Sequence, residues 1–159
     1  MIATYAAAVI IVVAMLGLGG LMTEVGDWYR GLRKPTWNPP NWLFAPAWTV
    51  ILGLAGWAGV EAWTHTGDDG AHLRLAVLFG ATAFLHLLWS PLFFKLKRPD
   101  LSLLEIPFLW LSILATIIGV VRISVLAAEL LAPYLVWVAF ATCLNLAIVR
   151  LNPPFGHDG

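Results

Sequence analysis

Five apolar runs of about 20 residues dominate the chain, at roughly 2–23, 43–64, 73–94, 102–122 and 131–150, and short segments between them hold most of the charge. A helix rises 1.5 Å per residue, so a run of this length crosses the ~30 Å hydrocarbon core of a bilayer. Lipid accepts only helices or closed barrels, and these runs lack the polar–apolar alternation of barrel strands. The pattern predicts an all-α bundle of five transmembrane helices, forming a single domain over 1–159.

Local signals set the expected boundaries. Asn38 or Asn41 is expected to open the second span, with Pro46 tolerated in its first turn. Gly67-Asp68-Asp69-Gly70 reads as a tight polar turn. Ser102 and Glu105 have the spacing of a capping box at the start of the fourth span, which gives Glu105 a structural role. Pro91 and Pro107 are expected to kink their helices. Ile123–Leu131 is apolar enough to belong to either neighbouring span.

The segment between the first two spans, 24–42, has a different character. Pro35, Pro39 and Pro40 exclude regular helix around them. Trp37 and Trp42, followed by Pro46 and Trp48, make it too aromatic for a solvated linker. It is expected to fold as a cap over a membrane-embedded pocket, leading into a helix whose first turns line that pocket.

Composition narrows the class. The chain is 60% hydrophobic and 11% charged, with a mean hydropathy of +0.84, outside the range of soluble domains. Net charge is zero, and no basic field exists to bind nucleic acid. The single cysteine, Cys143, excludes an internal disulfide. No basic stretch precedes the first run, which therefore reads as a retained span rather than a signal peptide. Arg30, Arg33, Lys34, Lys95, Lys97, Arg98 and Arg150 fall on one side, and Arg74 and Arg122 on the other. The excess places the N-terminus outside and the C-terminus in the cytoplasm, as in a bacterial inner membrane.

Because lipid is itself apolar, only polar, small and aromatic positions mark an interior face. Gly53, Gly56 and Gly59 suit close helix packing or dimerisation. Thr82, His86, Trp89 and Phe93 form one helical stripe, and Trp137, Ala141, Asn145 and Ile148 another, with Leu144 beside it. His86 is the one histidine well inside a span. It reads as a neutral imidazole bonded to another helix, or as a polar handle or iron ligand in a porphyrin pocket. His65, His72 and His157 are expected in solvated loops or the tail. Glu61 is expected to snorkel to the headgroups. Trp28, Trp42 and Trp63 fit interfacial anchors, whereas helix rise brings Trp48, His86 and Trp137 into one slab roughly 10 Å thick. Such a slab suits a flat aromatic ligand. No HExxH, CxxC or paired in-membrane carboxylate is present, so no metal site beyond His86 and no obligatory cofactor is expected.

Three motifs then resemble the TspO/MBR family, the tryptophan-rich sensory proteins whose animal members are the translocator protein, or peripheral-type benzodiazepine receptor. The first is Trp28-Tyr29, Leu32, Lys34-Pro35, Trp37, Pro39-Pro40, Trp42, Phe44, Pro46 and Trp48-Thr49. The second is Leu88-Trp89-Ser90-Pro91-Leu92-Phe93-Phe94. The third is Pro133-Tyr134-Leu135, Trp137, Phe140-Ala141 and Leu144-Asn145. The resemblance implies a five-helix membrane protein, commonly a homodimer, with a pocket closed by the first loop. It also implies porphyrin or haem as ligand and, in some bacterial members, light-dependent porphyrin breakdown that depends on tryptophans matching Trp48 and Trp137. Trp89, Ala141 and Leu144 match pocket-lining positions, and Trp37, Asn38, Pro46, Thr82, His86 and Asn145 complete the candidate ligand set. Thr82 and His86 stand where the family commonly carries amides, and Leu146 replaces the tyrosine of the cholesterol pattern, so cholesterol is not carried over.

The leading expectation is a tetrapyrrole-binding membrane protein acting as sensor, carrier or stress regulator. The alternative is an enzyme degrading porphyrin under light. An ion-coupled transporter is disfavoured, since neither an inverted repeat nor a midplane carboxylate is visible.

Overall fold

The computed structural model describes residues 1–152, 154 and 155; His157 lies outside the described residues. Five helices are long and apolar enough to cross a membrane. They are α1 (Ile2–Met22), α3 (Asn41–Thr64), α4 (Asp69–Ser90), α5 (Pro99–Val121) and α6 (Val125–Leu151), with a short α2 (Asp27–Gly31) in the first loop. A π-helical turn, Pro91–Lys95, extends α4.

Burial follows the bundle axis in three layers. Small residues, among them Ala58, Ala62 and Ala127, pack with Leu75, Val120 and Leu131 at the end that carries the 67–70 turn. Ile51, Leu52, Ile106, Leu109, Ile113, Tyr134 and Val138 fill the middle. Tyr29, Phe93, Phe94, Leu144 and Ile148 close the end beneath the first loop. Side chains such as Val9, Val50, Val77, Phe108 and Val136 stay exposed and face outward, as lipid allows.

Polar side chains fix which helix faces meet. Thr82 Oγ1 lies 3.1 Å from Ser112 Oγ and 3.2 Å from Thr116 Oγ1, joining α4 to α5. The Asn145 amide of α6 sits 2.8 Å from Ser102 Oγ, at the start of α5. With its oxygen turned toward Ser102 and the Leu103 N–H, its nitrogen donates to the Pro99 carbonyl. Of the three regularly spaced glycines only Gly56 makes a backbone-level approach: a Cβ there would lie 2.6 Å from Val12 Cγ2 of α1. Gly59 faces the Phe79 ring at ordinary contact distance, and Gly53 has nothing within 4 Å.

Several boundaries differ from expectation. Neither Asn38 nor Asn41 caps α3; Pro40 occupies the cap position and Pro46 falls in the second turn. Asp68 caps α4, accepting from the Gly70 and Ala71 N–H groups at 3.1 Å. Pro91 does not simply kink α4. Its missing N–H releases the α-helical ladder into the π turn, closed by Leu96 N–H donating to the Pro91 carbonyl at 2.9 Å. Helix α6 starts at Val125, capped by Ser124, which accepts from Ala127 N–H and donates to Glu61 Oε1 at 3.0 Å. Glu61 Oε1 thus accepts from the cap of α6, and His65 Nδ1 lies 3.4 Å from it.

The capping box at Ser102 and Glu105 does not form. Pro99 is well suited to a first helical position, so α5 begins three residues earlier and both residues fall inside it. Glu105 is only 7% exposed, and neither carboxylate oxygen has a hydrogen-bond partner. A buried carboxyl without partners destabilises its fold, and an apolar side chain of similar volume relieves that cost. Glu105→Met is therefore expected to raise the unfolding midpoint in detergent, by about 1–3 kcal/mol of stability. A fall of the size caused by losing a helix cap, about 1 kcal/mol, would restore the capping role.

Candidate ligand-binding site

A cavity of about 460 Å³ occupies the half of the bundle beneath the first loop, within the range of small-molecule sites, about 300–1,000 Å³. Every long helix contributes to its wall. Met15, Leu16, Gly19 and Gly20 come from α1; Phe44, Trp48 and Leu52 from α3; His86, Trp89 and Ser90 from α4. The π turn adds Phe93 and Phe94, α5 adds Ile106 and Leu109, and α6 adds Trp137, Val138, Ala141, Leu144, Asn145 and Ile148. Among the described residues the wall includes no Asp, Glu, Lys or Arg.

Trp48 is the hub of the aromatic wall. Its ring stands edge-to-face with His86 at 4.7 Å, and with Tyr134 and Trp137 at 6.1 Å each. Phe44 packs on Trp137 at 6.1 Å, and Trp89 stacks on Phe93 at 5.0 Å. Edge-to-face rings hold one another at fixed angles, so the indole of Trp48 is positioned by three neighbours from two helices. Spacing placed Trp48, His86 and Trp137 at one depth; the structure puts them in ring contact.

The polar atoms of the site are few. His86 Nδ1 lies 2.9 Å from the Tyr134 hydroxyl. The indole N–H groups of Trp89 and Trp137 are buried without a partner. Asn145 reaches the wall, but its amide is engaged by the start of α5. Among the described residues no group of three His, Cys, Asp or Glu side chains could hold a metal ion.

Four candidates lie outside the wall. Thr82, one turn from His86, is turned onto α5, where Ser112 and Thr116 take its hydroxyl. Trp37 is 50% exposed and packs against Phe140 at 5.9 Å. Asn38 bonds its own neighbour, Pro39, and Pro46 is exposed on the opposite side of α3 from Trp48 and Leu52. Tyr134 escaped notice as a site residue, although it continues the stripe of Trp137, Ala141 and Asn145 by one turn. The contribution of α1 had no signal, because that helix carries no aromatic at the cavity.

The cap is fastened at both ends. Tyr29 is buried against Phe93 and Phe94, with ring centroids at 6.3 and 5.5 Å. Lys34 Nζ donates to the carbonyls of Tyr29 and Leu32 and lies 4.3 Å from the Tyr29 ring. Burial lowers the Lys34 ammonium below its ordinary value and raises the Tyr29 phenol. Glu24 pairs with Lys95, whose hydrogen bond and charge hold that carboxyl below the usual range. At the far end, Arg33 N–H donates to Asn152 Oδ1 at 3.0 Å while Asn152 Nδ2 donates to the Arg33 carbonyl at 2.9 Å.

An uncharged, aromatic cavity among five helices long and apolar enough to cross a membrane, lined from the first loop by Val25 and Tyr29, defines an integral membrane protein with an intrabundle cavity. The chain belongs to the TspO/MBR family, whose model matches residues 6–151. It is 41% identical to the tryptophan-rich protein TspO of Chlorobaculum tepidum over 127 residues, 79% of this chain and 80% of that one. It is 34% identical to the tryptophan-rich sensory protein of Cereibacter sphaeroides over 133 residues, 84% and 82% of the two chains. Human translocator protein is 35% identical over 127 residues, 79% of this chain and 75% of its own.

The two-way Arg33–Asn152 clasp is worth about 1–2 kcal/mol. Asn152→Ala is expected to speed amide exchange in 33–40 about 5- to 30-fold, with the unfolding midpoint nearly unchanged. Unaltered exchange would show that the clasp does not hold the cap.

Proposed function

We propose that this protein binds a flat tetrapyrrole of the porphyrin class in the capped cavity and acts in the membrane as a sensor, carrier or stress regulator. The observation that carries the reading is the wall itself: Trp48, Trp89 and Trp137 around an uncharged space, two of them with buried N–H donors that no protein atom accepts. Aromatic rings suit a planar macrocycle. The printed names of the relatives, a sensory protein and a translocator, support a sensing or carrying role. The excess of Lys and Arg at the cap end supports a cytoplasmic cap and an external N-terminus, as in a bacterial inner membrane.

Tryptophan-fluorescence quenching and absorbance titration with porphyrins, haem and bile pigments test this. Saturable quenching by at least one porphyrin is expected, and Trp137→Ala should weaken binding about tenfold through the lost ring contact. Absence of saturation across the panel would overturn the reading.

Light-dependent porphyrin breakdown is the second reading, favoured by the 6.1 Å contact between Trp48 and Trp137 in the same wall. The wall holds no carboxylate or amine side chain, and a reaction driven by light draws on the excited state of the ligand. Illuminated complexes of Trp48→Phe and Trp137→Phe should lose porphyrin more slowly than wild type. Equal rates with binding intact would remove the tryptophans from the chemistry.

A further inference from the structure

The His86–Tyr134 contact decides what His86 can offer a ligand. Tyr134 is 2% exposed and packed among Ile51, Ile106, Ile113 and Val138. Among the described residues its hydroxyl bonds only to His86 Nδ1, at 2.9 Å. His86 Nε2 has no protein partner, is not among the buried unpartnered atoms, and belongs to a residue of the cavity wall. It therefore opens on the cavity.

Two neutral arrangements fit that distance. In one, the phenol O–H donates to Nδ1 and the ring proton sits on Nε2. In the other, Nδ1–H donates to the phenol oxygen, which strands the hydroxyl proton in an apolar core. A stranded buried donor disfavours the second arrangement roughly 5- to 150-fold. A doubly protonated imidazolium fares worse, with no carboxylate in the wall to balance it.

We propose that Tyr134 locks His86 in the Nε2–H tautomer, making it a hydrogen-bond donor that selects ligands with carbonyl or carboxylate oxygens and keeps it from ligating haem iron. The Trp89 and Trp137 N–H groups are buried away from the open space, so Nε2–H is a donor that a ligand in the cavity can meet. An iron-ligating imidazole needs its lone pair on the cavity side, with the other nitrogen donating to an acceptor. Here that other nitrogen is the acceptor. The ligand class rests on the proposed tetrapyrrole site; the tautomer does not.

The decisive measurement is nitrogen NMR of protein labelled at histidine in nanodiscs, with the His86 signals identified by their loss in His86→Ala. Protonated Nε2 and bare Nδ1 are expected in the wild type, and the reverse pattern overturns the proposal. Haem titration adds a second arm. Wild-type haem spectra should be unchanged by His86→Ala, whereas Tyr134→Phe frees the ring and should gain an imidazole-dependent Soret shift that Tyr134→Phe/His86→Ala lacks. A wild-type band abolished by His86→Ala would also overturn it. If no tetrapyrrole binds, the pocket reading fails while the NMR result still decides the tautomer.

Discussion

Lipid offers no hydrogen-bond partner, so a polar side chain inside this bundle must find one within the protein or remain a cost. Four such pairings set the architecture: Thr82 with Ser112 and Thr116, Asn145 with Ser102, Glu61 with Ser124, and His86 with Tyr134. They join α4 to α5, α5 to α6, α3 to α6 and α4 to α6. Apolar packing gives no comparable direction, because an outward-facing leucine is equally content in lipid. Helix α1 shows the difference. It takes part in none of these pairings and has no buried residue, and it approaches α3 closely at Gly56.

The same constraint makes the cavity possible. Helices positioned by polar pins need not fill every space between them, and the space left is walled by rings that support one another. Polar atoms that escape pairing are then informative. The indole N–H groups of Trp89 and Trp137 belong to wall residues but are themselves buried, so their rings and not their nitrogens face the open space. Glu105 is different: it is buried, unpaired and outside the wall, and its effect falls on stability.

Much of this was legible in the sequence, for identifiable reasons. Hydrocarbon thickness imposes span length, so five helices showed directly as apolar runs. Their ends were harder. The apolar stretch across Ile123–Leu131 concealed the Ser124 cap, and the Ser102–Glu105 spacing imitated a helix start that Pro99 had already supplied. Within the site, helical period recovered His86, Trp89, Trp137 and Ala141, because polar and aromatic residues on one stripe have a reason to point inward. It failed at Thr82, where the stripe meets α5 before it meets the cavity. Trp37 and Asn38 lie in irregular chain, where no period exists to place them.

The π turn ties the cap to the pocket. Pro91 cannot donate into the helical ladder, and the widened turn that follows leaves both Phe93 and Phe94 buried. One face of this pair lines the cavity; the pair also seats Tyr29, and Phe93 receives Trp28. The cap therefore rests on the same rings that a ligand would touch. Trp89, stacked on Phe93, extends that contact to the unpaired indole donor. The cap and the cavity thus share the Phe93–Phe94 pair as a common wall.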